Sequence, residues 1–412
     1  MKSFFCKVLL FYMSKKLVNN SEDIKIIFRY KNVSQPIGNG SKIHDITFER
    51  FRDVFLLIFY SASLSFGEAY FKGYIKISGS LDEFVFAVDQ NFENKVRFSL
   101  IANLLYLVNR IFIKSRKNSL EKSINNVRAH YDQDPEFYKL FLDKSMQYSC
   151  AYFPANVEGI SIDEAQNYKK ELISQKLLLS NNLKVLDIGC GWGGLSLHLA
   201  KNYGCMVRGI TLSEEQLNLA VSNSKTSGLD NLLEYSATDY RDVSETFDRI
   251  VSVGMFEHVG LKSYDQFFER INGCLKEDGV ALIHTIGRVK GPGSTDAFLE
   301  KYIFPGGYIP SLSEILPFIE KNNLIVTDIE FLHMHYAKTL KSWRKRFLSQ
   351  SDFVDDRFGI NFRRLWEYYL VISESAFRSE FMTVFQIQLA KKTSSIPSSR
   401  NYIYEKTDKL EN

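Results

Sequence analysis

Cysteine and proline are scarce in this chain, with 5 and 8 among 412 residues. Cys6, Cys150, Cys190, Cys205 and Cys274 are odd in number and nowhere take a C-x-x-C spacing. That argues against a disulfide framework and against a structural zinc site, so no metal is expected and a reducing cytoplasm is the matching compartment. No stretch reaches the ~18 uninterrupted apolar residues of a membrane-spanning helix. The start, MKSFFCKVLLFYMSKK, carries an apolar run, but Lys7 interrupts it and no small-x-small cleavage site follows, which argues against a secretory signal. An excess of one charge is also missing: a formal net charge of +4 is too small to point to nucleic acid.

The charge that is present is uneven. Residues 1–125 hold 19 Lys+Arg and 11 Asp+Glu, against 33 and 37 in the remainder. A basic front attracts anionic lipid headgroups, or is simply a solvated surface. With 45% hydrophobic residues the chain has material for a packed core, and its length favours two domains.

The first 125 residues mix short apolar alternations with helical patches, divided by turn signals at Gly38–Ser41 and Gly79–Ser80. The pattern from Val96 to Ile113 predicts a helix, and the basic run KSRKNSLEKS after it reads as a linker. Beyond it, KVLDI (184–188), MVRGIT (206–211), DRIVSVG (248–254) and GVALIHTI (279–286) alternate with helical patterns. Strands alternating with helices predict a parallel sheet covered on both faces. The expected organisation is an N-terminal, lipid-associated domain and linker over 1–120, a catalytic domain over 121–392 and a polar tail over 393–412 that frays.

The sharpest local signal is VLDIGCGWGG (185–194), a buried strand running into a glycine turn that opens a helix. Gly189, Gly191 and Gly193 let the backbone turn tightly and let a ligand lie against it. Dinucleotide enzymes use a related loop, but two details favour S-adenosylmethionine. Asp187 at the strand end would orient an ammonium group and repel a pyrophosphate. The second strand ends in Thr211-Leu212-Ser213, where a dinucleotide enzyme more often offers a ribose-binding carboxylate.

Further motifs are HYDQDPEFYKLFLDKSMQYSCAYF (130–153), GITLSEEQ (209–216), DYRDVSETFDRIVSVGMFEHVG (239–260), LIHTIG (282–287), KYIFPGGYIPS (301–311) and HYAKTLKSWRKRF (335–347). In this order they resemble the cyclopropane fatty acid synthases and the related mycolic acid cyclopropane synthases, over residues 125–390. In the front half, SLSFGEAYFKGYIKISGSLDEFV (63–85) is similar to a segment of synthases that act on intact phospholipids. Two departures stand out: HYDQDPEFY lacks an Asn the family often carries there and gains Pro135, and Tyr74-Ile75 stand where tryptophan is common.

The resemblance implies a Rossmann-like class I methyltransferase fold, α/β with a seven-stranded mainly parallel sheet and an antiparallel final strand, beside a smaller N-terminal α+β domain. It implies methylene transfer from S-adenosylmethionine to the cis double bond of a phospholipid acyl chain, at the inner membrane surface, by a peripheral and dimeric enzyme. It assigns a bound bicarbonate base to Cys150, Glu257, His284, Ile286 and Tyr336. To Asp187 of the loop reading it adds Tyr148, Ser149, Gly189, Gly191, Thr211, Leu212 and Gln216 as S-adenosylmethionine-binding residues, with Asp239 and Tyr240 beside the adenine.

The residue types suit those roles. A neutral histidine, a tyrosine hydroxyl and backbone N–H groups donate to a small anion, and Glu257 accepts from a bicarbonate hydroxyl. Each also has an ordinary reading: Cys150 as a small buried hydrophobe, His284 as a hydrogen-bonded core histidine, Tyr336 as packing. His258, Trp192 and Trp343 are taken as structural. The aromatic stretch 362–381 lines an acyl channel or is core, and Lys341, Arg344, Lys345 and Arg346 meet lipid phosphates or face water. The rival functions are a same-fold enzyme making a methyl branch or methylating an amine, a silent lipid-binding protein, and a dinucleotide oxidoreductase.

Overall fold

The computed structural model describes residues 7–12, 14, 24–59, 61–96, 135–155 and 157–404. The expected helix and linker after Val96, and HYDQD (130–134) at the start of the next motif, lie outside them. Two compact units emerge: residues 1–109 with 295–303 and 340–381, and residues 110–294 with 304–339 and 382–412. They are not the two consecutive stretches expected from the sequence.

In the first unit a four-stranded sheet is built from β1 (Ile24–Tyr30), β2 (Val33–Ile37), β3 (Lys42–Phe48) and β4 (Ile75–Ser78), in the order β2-β1-β3-β4. β1 pairs parallel with β3, and the other pairings are antiparallel. Ile26, Phe28, Ile46 and Phe48 recur at every second position and are all buried, as one covered sheet face requires. Helices α1 (Phe51–Phe59), α2 (Ala62–Phe71) and α3 (Leu81–Val96) complete the N-terminal part.

The GEAY motif explains why later segments join this unit. Gly67 on α2 has no room for a Cβ, which would stand 2.5 Å from both Phe298 and Tyr368. Glu68 accepts from Lys301 at 2.7 Å and Tyr302 at 2.9 Å, and Tyr70 donates to Glu367 at 2.9 Å. Trp366, Tyr368 and Tyr369 of the Ile360–Arg378 helix are buried, with the Tyr368 ring 5.8 Å from that of Phe66 and its hydroxyl bonded to the Ser63 carbonyl. The aromatic stretch is therefore core packing at these positions. Arg344 is turned inward to Asp82 at 2.9 Å and Glu374 at 3.3 Å, so it does not belong to a solvent-facing basic cluster.

The second unit holds α4 (Ile162–Lys176), β5 (Lys184–Ile188), α5 (Gly194–Tyr203), β6 (Met206–Thr211), α6 (Glu214–Thr226), β7 (Leu233–Ala237), β8 (Phe247–Val253), α7 (Tyr264–Cys274), β9 (Leu275–Arg288), α8 (Leu312–Lys321), β10 (Ile325–Phe331), the start of α9 (His335–Leu348) and β11 (Met382–Ala390). Its seven strands are ordered β10-β11-β9-β8-β5-β6-β7. Neighbours are parallel except β11, which runs antiparallel to both β9 and β10. Strands covered on both faces read as continuous apolar runs, as in Val280, Ala281, Leu282 and Ile283, all at most 1% exposed. One core packs Leu186, Ile188 and Ile250 against α7 and α8, and the other packs Val185, Val207 and Val251 against α4 and α5.

The tail does not fray where it is described. Ile403 is fully buried, Gln388 on β11 donates to the Tyr402 hydroxyl at 2.9 Å, and Arg400 pairs with Asp328 on β10. Its polar composition concealed one apolar anchor.

Candidate active site

From β5 the chain continues outward to β6 and β7, then returns to place β8 on the other side of β5. At such a reversal the loops leaving the strand ends diverge and open a crevice, which is where parallel sheets bind ligands. The glycine loop lies there. Gly189 takes φ +79°, and a Cβ on it would stand 2.8 Å from Met255; Gly191 takes φ +56° and faces open space. The backbone can thus bend around a ligand that no side chain obstructs.

The cleft has about 1130 Å³ of empty space, part of it continuous with solvent. All ten residues expected to bind S-adenosylmethionine line it: Tyr148, Ser149, Asp187, Gly189, Gly191, Thr211, Leu212, Gln216, Asp239 and Tyr240. Thr211 donates to Gln216 Oε1 at 2.7 Å, and Ser213 caps α6 by accepting from the Gln216 N–H, which fixes the amide at the β6 end. Asp187 accepts from Ser196 at 2.7 Å, and burial lifts its pKa to about 6 against the opposing effects of Ser196 and Lys169. Asp239 is committed to Arg241, with its two oxygens at 2.7 and 2.8 Å from the guanidinium. Tyr240 packs edge-on to Phe267 at 5.2 Å.

The five residues expected to hold the base do not line this cleft, and three of them directly neighbour residues that do. Cys150 follows Ser149 and Glu257 precedes His258, both wall residues, and the His284 carbonyl accepts from the Gly254 N–H at 2.9 Å. Glu257 Oε1 accepts from the Ile286 N–H at 2.7 Å, so the structure joins these two directly. Glu257 Oε2 is buried without a hydrogen-bond partner. Desolvation raises the Glu257 pKa to about 7, opposed by the Ile286 N–H. His284 is held neutral by burial, with Lys169 and Lys176 further opposing its protonation. Burial also pushes the Cys150 thiol far up, so it is no nucleophile; its sulfur donates to the Ala151 carbonyl. Tyr336 is the second residue of α9 and lies between two tied residues, since Phe153 N–H donates to His335 Nδ1 at 2.9 Å and Ala151 N–H donates to Thr339 at 3.1 Å.

Sequence reasoning missed several wall residues. Trp192 and His258, taken as structural, line the cleft, and the buried Trp192 Nε1 has no hydrogen-bond partner. Trp192 lies inside the glycine loop itself and His258 follows Glu257, so both carried a positional signal. Lys169 carried none. It is fully buried on α4 and donates to Gln147 at 2.6 Å and Ser149 at 2.9 Å, two cleft residues, and burial lowers its pKa to about 7.

A glycine loop and ligand cleft at the reversal of a seven-stranded sheet, with one antiparallel strand beside its edge, define a class I S-adenosylmethionine-dependent methyltransferase. A family model described as mycolic acid cyclopropane synthetase matches residues 118–387, and the chain belongs to that family. The cyclopropane-fatty-acyl-phospholipid synthase of Escherichia coli strain K12 is 36% identical over 355 residues, covering 86% of this chain and 89% of that protein. The tuberculostearic acid methyltransferase UfaA1 of Mycobacterium tuberculosis is 34% identical over 289 residues, 67% of each chain. The crystal structure of mycolic acid cyclopropane synthase CmaA1 complexed with SAH and CTAB, 32% identical, superposes with a TM-score of 0.61 over 65% of this chain and 97% of its own.

Proposed function

We propose that the enzyme converts the cis double bond of an unsaturated phospholipid acyl chain into a cyclopropane, meeting its substrate peripherally at the inner membrane surface from the cytoplasm. Among the described residues no helix is long and apolar enough to cross a membrane. The likeness to the E. coli synthase over most of both chains supports a phospholipid acceptor. The family resemblance extends the reading to a homodimer, which sedimentation would measure.

The observation that carries the reading is the unpartnered, buried Oε2 of Glu257, whose other oxygen is held by the Ile286 N–H two residues along β9 from the neutral His284. An orphaned carboxylate oxygen requires a donor, and the hydroxyl of bicarbonate is one. Glu257, His284, Tyr336 and the main chain at Cys150 would hold that anion, with Ile286 acting through the N–H it gives to Glu257. When bound, S-adenosylmethionine supplies the methyl group and bicarbonate the base that takes a proton from it. Methylation of a nucleophilic nitrogen would give no use to such a site.

The protein's own part is to position and to exclude water. Tyr148, Trp192, Tyr138 and Phe141 form an aromatic cluster with ring separations of 5.0 to 6.2 Å, whose faces favour a nearby cation. Gly189 and Gly191 would admit the donor against bare backbone, and Gln216, held by Thr211, would meet its ribose and methionine part.

Vesicles of unsaturated phospholipid incubated with the protein and methyl-deuterated S-adenosylmethionine test the reading. A gain of one CD2 unit in the acyl chain, with one deuterium lost, is the expected product. A retained CD3 would sink ring closure in favour of the branching chemistry that the name of UfaA1 suggests.

A further inference from the structure

Behind His284 runs a chain of buried side chains to which nothing above gives a role. Lys176, the last residue of α4, is fully buried. Its ammonium donates to Glu330 on β10 and, at 2.7 Å, to Gln386 Oε1. Gln386 lies directly across from His284 in the β11–β9 pairing, and its Nε2 is 3.1 Å from His284 Nδ1. Both residues are at most 2% exposed. A primary amide has one accepting end and one donating end, and an ammonium only donates. Lys176 therefore fixes Oε1 towards itself and leaves the Gln386 NH2 to face the imidazole. Nδ1 must accept, so in the neutral ring the proton resides on Nε2.

We propose that Lys176 and Gln386 are positioning residues that lock His284 in its Nε2–H tautomer, so that the ring donates to the anionic base. The relay rests on the reading that His284 helps to hold that base. Its members sit on three different elements of the sheet unit, α4, β9 and β11, and Glu330 adds a fourth. Gln388, two residues along β11, donates to the Lys176 carbonyl and holds the end of α4 in place.

Ring 15N-histidine spectra of the full-length protein read the tautomer directly, with His284→Asn assigning the signal. The wild-type ring should show a protonated Nε2 and a bare Nδ1; the reverse pattern would overturn the proposal without any variant. Gln386→Glu places an acceptor opposite Nδ1 and keeps a partner for Lys176, so the ring should move its proton to Nδ1 or become imidazolium. In buffer stripped of CO2 and supplied with known bicarbonate, half-saturation for bicarbonate should rise roughly 10-fold or more, as for other supports of a bound ion's ligands, with S-adenosylmethionine affinity unchanged. Lys176→Met, which frees the amide to rotate, should give a mixture of tautomers and an intermediate rise. An unchanged ring signal in both variants overturns the relay. A moved proton with unchanged bicarbonate dependence overturns instead the placement of His284 at the base.

Discussion

Glu257 sits at the boundary between two protonation states because burial has taken its carboxylate away from water while one oxygen has no partner. Its pKa in the folded chain, about 7, is above the ordinary 4.5. A raised carboxyl contributes its full stability below the ordinary value and loses it as pH climbs through 7, by on the order of 3 kcal/mol. Glu257→Gln removes that loss, so the variant's Tm advantage over the wild type should be larger at pH 8.5 than at pH 5.5. Turnover should fall to near background in the same variant, while calorimetric S-adenosylmethionine affinity stays nearly constant. Lys169 acts on the cleft wall. Lys169→Met strips the donor from Gln147 and Ser149, and equilibrium binding of S-adenosylmethionine should weaken about 10-fold, as the loss of a hydrogen bond to a charged group predicts.

Helices and strands differ in how openly the sequence declared them. β5, β6, β8 and β9 were legible because each is an apolar run ended by glycine or a polar turn, and the glycine loop announced the ligand cleft. Of the cleft residues, Asp187, the loop glycines and Thr211 followed from the loop and strand ends themselves, and the rest from the family resemblance. Lys169 and Lys176 were not legible, since KKELISQK reads as the solvated face of an ordinary helix. Only the tertiary fold shows that residues seven apart on α4 are both sealed inside. The same holds for Arg344, whose partners Asp82 and Glu374 are remote in sequence. At α2 the contact with the Ile360–Arg378 helix allows a sharp test. Gly67→Ala inserts a methyl group at 2.5 Å from two aromatic rings and should cost about 1–3 kcal/mol in chemical denaturation, with the cleft's S-adenosylmethionine affinity unaltered.

At the scale of the molecule, the C-terminal residues are an unexpected part of the catalytic unit. Deleting everything after Ser399 removes the fully buried Ile403, the Tyr402 bond to Gln388 and the Arg400 pair with Asp328. Thermal unfolding should shift down by an amount matching roughly 2–4 kcal/mol, the usual cost of emptying an isoleucine site. Tyr404 and Arg400 also reach Glu330, the partner of Lys176, so the truncated protein should show a weakened response to bicarbonate besides lower stability.

The interleaving of the two units bears on how the protein is made. The chain leaves the first unit after residue 109, revisits it at 295–303 and again at 340–381. On the ribosome the N-terminal sheet and helices emerge first, yet Tyr368 and Phe298, which cover Gly67 and Phe66, emerge only after most of the catalytic unit has been synthesised. For that interval α2 presents an uncovered aromatic face, the kind of nascent surface that chaperones hold. A fragment ending at residue 120 should accordingly aggregate or remain unfolded when expressed alone, and co-expression with the rest of the chain should restore it.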